Sequence, residues 1–65
     1  MLDNKKPKCK LVGQNGNIFN LIGIASRELK NNFQADKAKE MQTRCFSAKS
    51  YDEALQIIME YVDVE

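Results

Sequence analysis

The chain has no histidine and no tryptophan, and only one proline, three glycines and two cysteines among its 65 residues. Without histidine it lacks the commonest general base and the one side chain that titrates near neutrality, so acid–base chemistry would fall to carboxylates, lysine or tyrosine. Cys9 and Cys45 stand far apart, with no Cys-x-x-Cys pair. No four-ligand zinc set and no Cys–His nucleophile can therefore be assembled within one chain. Both cysteines read as buried small apolar groups, and a disulfide between them is the minor alternative because nothing marks an oxidising compartment. No apolar run approaches the ~18–20 residues that span a bilayer, and Met1-Leu2-Asp3-Asn4-Lys5-Lys6 leads into polar sequence rather than the apolar core of a secretory leader. A cytoplasmic location is the expectation. The apolar content of 43% and charged content of 29% are those of a globular chain. Its length allows one small domain that buries about 60% of the surface exposed on unfolding. A large catalytic cleft is not expected, and no catalytic, cofactor-binding or metal-ligating residue is assigned; the protein reads as a non-enzyme.

Periodicity predicts a mostly α fold: a three-helix domain over 9–65, with one short N-terminal strand, preceded by a flexible basic lead-in over 1–8. Cys9-Lys10-Leu11-Val12 alternates weakly and stops at Gly13-Gln14-Asn15-Gly16, where Asn-Gly marks a tight turn. The competing hairpin, with 17–22 as its return strand, loses to the helical spacing of Ile18, Phe19, Leu21, Ile22, Ala25, Leu29 and Phe33, which fall within an arc of about 160°. Asn17 caps this first helix, which runs to about Asn31, and Gly23 within it would let another backbone approach closely. Ile24 falls off the apolar arc. A second helix from about Ala35 to Phe46 carries a narrow stripe of Ala38, Met41 and Cys45. The third has the clearest start: Ser50-Tyr51-Asp52-Glu53 fits the capping box, in which the Ser hydroxyl and the Glu carboxylate satisfy unpaired backbone N–H groups. Its apolar arc, from Tyr51 and Ala54 to Tyr61 and Val62, spans about 200° and is wider than one neighbouring helix needs. The helix is either central or turned to a partner. Residues 61–65 either continue it or leave it as a C-terminal strand beside Cys9–Val12.

Charge is divided along the chain although the net charge is +1. Residues 1–50 hold ten Lys/Arg against four Asp/Glu, a balance of +6, whereas residues 51–65 hold five acids and no Lys or Arg, a balance of −5. Lys5, Lys6, Lys8 and Lys10, with Lys37, Lys39 and Arg44 of the second helix, could neutralise several phosphates. Gly13-Gln14-Asn15-Gly16 is locally similar to the Gly-x-x-Gly loop with which KH domains clamp a nucleic-acid backbone. It has no basic residue, however, and only twelve residues precede it where a KH domain has a strand and a helix. The acidic third helix would be repelled by phosphate, which argues against its entering a DNA groove.

From Lys8 to Glu65 the chain resembles a group of short bacterial proteins, often found with mobile elements, through Lys10-Leu11-Val12-Gly13, Gly16-Asn17-Ile18-Phe19 and Ser50-Tyr51-Asp52-Glu53-Ala54-Leu55. No activity is assigned to that group, so the resemblance implies no cofactor and no site residues. Two functions follow from the residues themselves. The first is a protein–protein interaction module using the third helix, with Met59, Tyr61 and Val64 as candidate contacts to an unidentified protein or a second copy. The second is an accessory nucleic-acid-binding domain using the basic N-terminus and the second helix.

Overall fold

Local capping decides where the helices begin. The computed structural model describes residues 6–65. Asn17 holds extended backbone and its side-chain oxygen accepts the Phe19 N–H at 2.9 Å; from there helix α1 runs over Ile18–Asn31. Ser50 does the same for α3, Tyr51–Tyr61, with its hydroxyl oxygen accepting the Glu53 N–H at 3.1 Å. The returning half of that capping box lands one residue early: the Glu53 carboxylate accepts the Lys49 N–H, at 3.4 Å, rather than that of Ser50. Between them α2, Ala35–Phe46, has no side-chain cap and starts at Gln34.

The strand expected at the N-terminus forms, and so does the C-terminal one. Strands β1, Lys8–Cys9, and β2, Asp63–Val64, pair in parallel, with Lys8 opposite Asp63 and Cys9 opposite Val64. Parallel strands need a long crossover, which here is the whole three-helix body. The helix ends at Tyr61, and its cap residue Val62 turns extended and is buried, so the chain passes from α3 into the sheet. Beyond the paired residues, the Glu65 carbonyl oxygen accepts both Leu11 N–H (2.8 Å) and Val12 N–H (3.1 Å), and Asp63 N–H donates to Pro7 O at 2.9 Å. Lys6 adds a bond from its ammonium to Met59 O at 2.8 Å. Residues 6–8, read from sequence as part of the lead-in, are thus tied to the end of α3 and to β2; residues 1–5 lie outside the described residues.

One apolar cluster joins every layer. Leu29 of α1, Met41 of α2, Ile58 of α3, Val62 and Cys9 are its largest fully buried side chains. Of the third helix's wide arc, Ala54, Ile57 and Ile58 are buried and Leu55 and Tyr61 pack half-buried against the cluster, so most of that arc is filled by the protein's own core. Ile24, off the arc of α1, also packs half-buried on the cluster.

Three local expectations are corrected. The tight turn is centred on Val12-Gly13, not on Asn15-Gly16: Gln14 N–H donates to Leu11 O at 3.1 Å, and Gly13 takes the positive φ of 87° that a type II turn requires at its third residue. Asn15 instead accepts the Asn17 N–H on its side chain at 2.9 Å, an Asx-type turn leading into the α1 cap. Phe19 and Phe33, placed on the apolar arc of α1 by spacing, are 67% and 97% exposed: Phe19 stands in the first turn of the helix, and Phe33 follows its cap with a φ of 63°, which takes it out of the helical phase. Gly23 faces open space, with no atom within 4 Å of where a Cβ would stand.

Phe33 occupies the position after the α1 cap where glycine is the usual choice. Gln34 N–H reaches back to Leu29 O (2.8 Å) and Phe33 N–H to Lys30 O (3.1 Å), the paired bonds of a Schellman motif, and Phe33 itself adopts φ 63°. A left-handed conformation costs a side-chain-bearing residue roughly 1–2 kcal/mol, and this ring recovers almost nothing by burial. Phe33→Gly is accordingly expected to stabilise the fold by about 1 kcal/mol, raising the thermal midpoint by roughly 4–8 °C. An unchanged or lowered midpoint in differential scanning calorimetry would contradict this account of the turn.

Candidate docking site

Three aromatic side chains that the core does not use meet at one end of the helical body. Phe19 opens α1, Phe46 closes α2 and Tyr51 opens α3, and all three are substantially exposed. The Phe19 and Phe46 rings lie 6.0 Å apart, tilted by 37°, within the range in which aromatic pairs attract. Tyr51 is held by its hydroxyl, which donates to Gly16 O at 2.7 Å. The three rings rim a groove of about 280 Å³, walled by Ile18 and Ile22 of α1, Cys45 of α2, Ala48 of the connecting turn and Ala54 of α3; Lys49 is its one charged lining residue. That volume lies just below the ~300–1,000 Å³ of small-molecule clefts, and it suits one or two anchor side chains of a larger partner.

The groove has little chemistry of its own. Burial pushes the Cys45 thiol above its ordinary value, opposed in part by nearby Arg44, and its sulfur lies 3.7 Å from Ala54 O. Cys9 is likewise buried and raised, first by desolvation and then by Glu28. Both cysteines are free and buried, and a protonated thiol is a poor nucleophile. Among the described residues no group of three His, Cys, Asp or Glu side chains is placed to hold a metal ion.

The residues singled out from sequence are dispersed over several elements. Met59 is exposed on α3, and its carbonyl oxygen takes the Lys6 ammonium. Tyr61 is half-buried at the end of α3, and Val64 is a half-buried β2 residue packed on the core. Of the basic set, Lys5 lies outside the described residues, while Lys8 and Lys10 are exposed on and just after β1. Lys37 stands 3.8 Å from Glu40 in the same helix, and Lys39 is exposed one turn before Thr43, whose hydroxyl donates to Lys39 O at 3.1 Å. Arg44 joins α2 to α3: its guanidinium donates to both Glu60 oxygens, at 2.7 and 3.2 Å, and to the Tyr61 hydroxyl at 3.1 Å, and lies 5.7 Å from the Tyr61 ring centre.

That bridge has a pH signature. Hydrogen bonding from Arg44 holds the Glu60 carboxyl below its ordinary value of 4.5, with a smaller contribution from Lys6, and raises Arg44 in turn. A carboxylate depressed in the folded state stabilises the fold above its unfolded pKa, and that contribution is lost as pH falls through the lower, folded value. Arg44→Met should therefore lower the thermal midpoint near neutrality by a small amount, because the pair is exposed, and the difference from the parent protein should shrink in acid to what the Tyr61 contacts of Arg44 contribute. A gap that stays undiminished or widens on acidification would sink this assignment.

Sequence reasoning missed the groove, although part of its signal was present. Phe46 stands off the Ala38–Met41–Cys45 stripe of α2, and a large aromatic outside its helix's buried face is the kind of residue that marks a contact surface. Within the described residues no helix is long and apolar enough to cross a membrane. No protein-family model, curated protein or solved structure matches the chain, and no site residue is therefore carried over from a relative.

Proposed function

We propose that this protein is a non-enzymatic interaction module that docks another protein in the groove rimmed by Phe19, Phe46 and Tyr51. The observation that carries this reading is the convergence of three exposed aromatic side chains from three different helices on one concave apolar surface. Aromatic residues in a partly desolvated pocket are the side chains that dominate protein interfaces. The contact surface thus moves from Met59, Tyr61 and Val64 to the opposite end of α3, near its capping box. The reading assumes a cytoplasmic protein and is compatible with the resemblance to short bacterial proteins of mobile elements, which supplies no activity to test it against.

An accessory nucleic-acid-binding role draws less support. Arg44 and Lys37 each lie within ion-pair distance of a carboxylate, and the ammonium of Lys6 is bonded to a backbone carbonyl. Placing a photo-cross-linking amino acid at position 46, and separately at exposed position 56 on α3, in cells that make the protein separates the two roles. A discrete protein adduct from position 46 and none from position 56 is expected. Adducts to nucleic acid from position 46, or equal protein adducts from both positions, would overturn the proposal.

A further inference from the structure

The groove is apolar but carries one sign of charge. Lys49 is its only charged lining residue, and α1, which forms one wall, has no acidic residue in its first turn. The positive end of that helix dipole is thus left without a side-chain counter-charge. Leading away from the groove, Gly23 and Lys30 follow Phe19 on one stripe of α1, four and eleven residues on, while Lys39 stands two turns before Phe46 on the facing stripe of α2. The stripes adjoin across the α1–α2 seam, where the Phe19 and Phe46 rings meet and the Gln42 amide donates to Ser26 Oγ at 2.8 Å. Lys30, Lys39 and Lys49 are all exposed. Of the acids near them, Glu28 accepts from the Asn32 amide, Glu40 faces Lys37 and Glu53 accepts the Lys49 N–H at the α3 cap, while Asp36 and Asp52 are exposed at the starts of α2 and α3 and do not line the groove. Bare Gly23 leaves the seam low beside Phe19, where another backbone can come close.

We propose that the occupant is an acidic amphipathic helix of a partner protein, setting one or two large apolar side chains among Phe19, Phe46 and Tyr51 and its carboxylates against Lys49, Lys30 and Lys39. This inference rests on the docking reading above and names the chemistry of the partner. Helix-in-groove recognition uses apolar anchors at i, i+3 or i+4, which matches a groove of this size, and complementary charge selects among candidate helices. A second copy fits less well. A two-fold contact sets each patch against itself and would bring the lysines together, while the chain's own acidic amphipath, α3, has Ile57 and Ile58 buried in the core. A nucleic-acid strand meets the same three lysines, but it carries a charge at every phosphate and has no large apolar side chain to set against Ile18, Ile22 and Ala54 in the groove.

The test titrates the intact, isotopically labelled protein with two synthetic helical peptides of about 15 residues. Both carry the same Leu/Phe anchor pair; one has Glu and the other Lys at its remaining surface positions. The Glu peptide is expected to shift the amide resonances of Ile22, Ala48, Lys49 and Ala54 and to bind at least ~10-fold more tightly than the Lys peptide. Lys49→Glu should narrow that gap, and Lys30→Glu with Lys39→Glu, both at exposed helix positions, should narrow it independently. Equal affinities, tighter binding of the Lys peptide, or the same amides shifting with protein concentration alone or with a mixed-sequence oligonucleotide would overturn the inference. Failure of both peptides while position 46 still cross-links a protein would defeat the acidic partner alone; loss of the cross-link as well would remove the docking reading.

Discussion

Ile58→Ala is expected to leave the chain at the edge of unfolding at room temperature. Ile58 is fully buried in the middle of α3 and belongs to the cluster that holds Leu29 of α1 and Met41 of α2. Truncating a buried isoleucine removes transfer free energy and leaves a cavity, typically costing about 2–5 kcal/mol. A core of this size supplies a net stability of only about 3–5 kcal/mol, so a single substitution removes most of it. The site cannot relax easily, because α3 is held at its start by the Ser50 cap and at its end by the β1–β2 pairing. Urea unfolding followed by circular dichroism should show the midpoint collapse toward zero denaturant. Leu55→Ala, at a half-buried position on the same helix, should lose far less. Equal losses at the two positions would mean that α3 is not packed as described.

The elements were more legible in the sequence than the surface between them, for physical reasons. Helix starts are local events: Asn17 and Ser50 satisfy backbone donors two or three residues away, so a reader of the chain meets cap and helix together. The two-residue strands are the opposite case. Cys9 and Val64 are brought opposite each other only after three helices have packed, and the sequence could do no more than leave 61–65 open between helix and strand. Spacing also tells which way a side chain points without telling where its neighbour ends. Spacing places Phe19 and Phe33 on the apolar arc of α1, yet Phe19 rims an open groove in the first turn and Phe33 falls past the helix's cap, so both are exposed. The groove has the same cause, since its walls come from the start of one helix, the end of the next and the start of the third. No single stretch of sequence carries that convergence, and only Phe46, out of phase with its own stripe, hinted at it.

Replacing both Phe19 and Phe46 with serine should abolish partner capture while leaving the protein folded. The two rings are 67% and 62% exposed, and Ile18, Ile22, Cys45 and Ala54 line the groove beneath them. Folding therefore loses the mutual attraction of one aromatic pair, about 0.5–1.5 kcal/mol, and keeps the central cluster. Binding loses two anchors at the centre of the interface, where truncation commonly costs 2 kcal/mol or more each, so affinity should fall by at least ~100-fold. The separation between the two readouts is the discriminating feature: Ile58→Ala would depress capture only by unfolding the protein, whereas the double serine variant would keep its cooperative thermal transition and lose the cross-link that a photo-cross-linking amino acid placed at position 51, on the same rim, makes in the parent protein. Retention of that cross-link by a folded Phe19→Ser/Phe46→Ser protein would show that the exposed aromatics do not hold the partner. Collapse of the thermal transition would instead show that the Phe19–Phe46 contact is part of the core that closes the open end of the helical body.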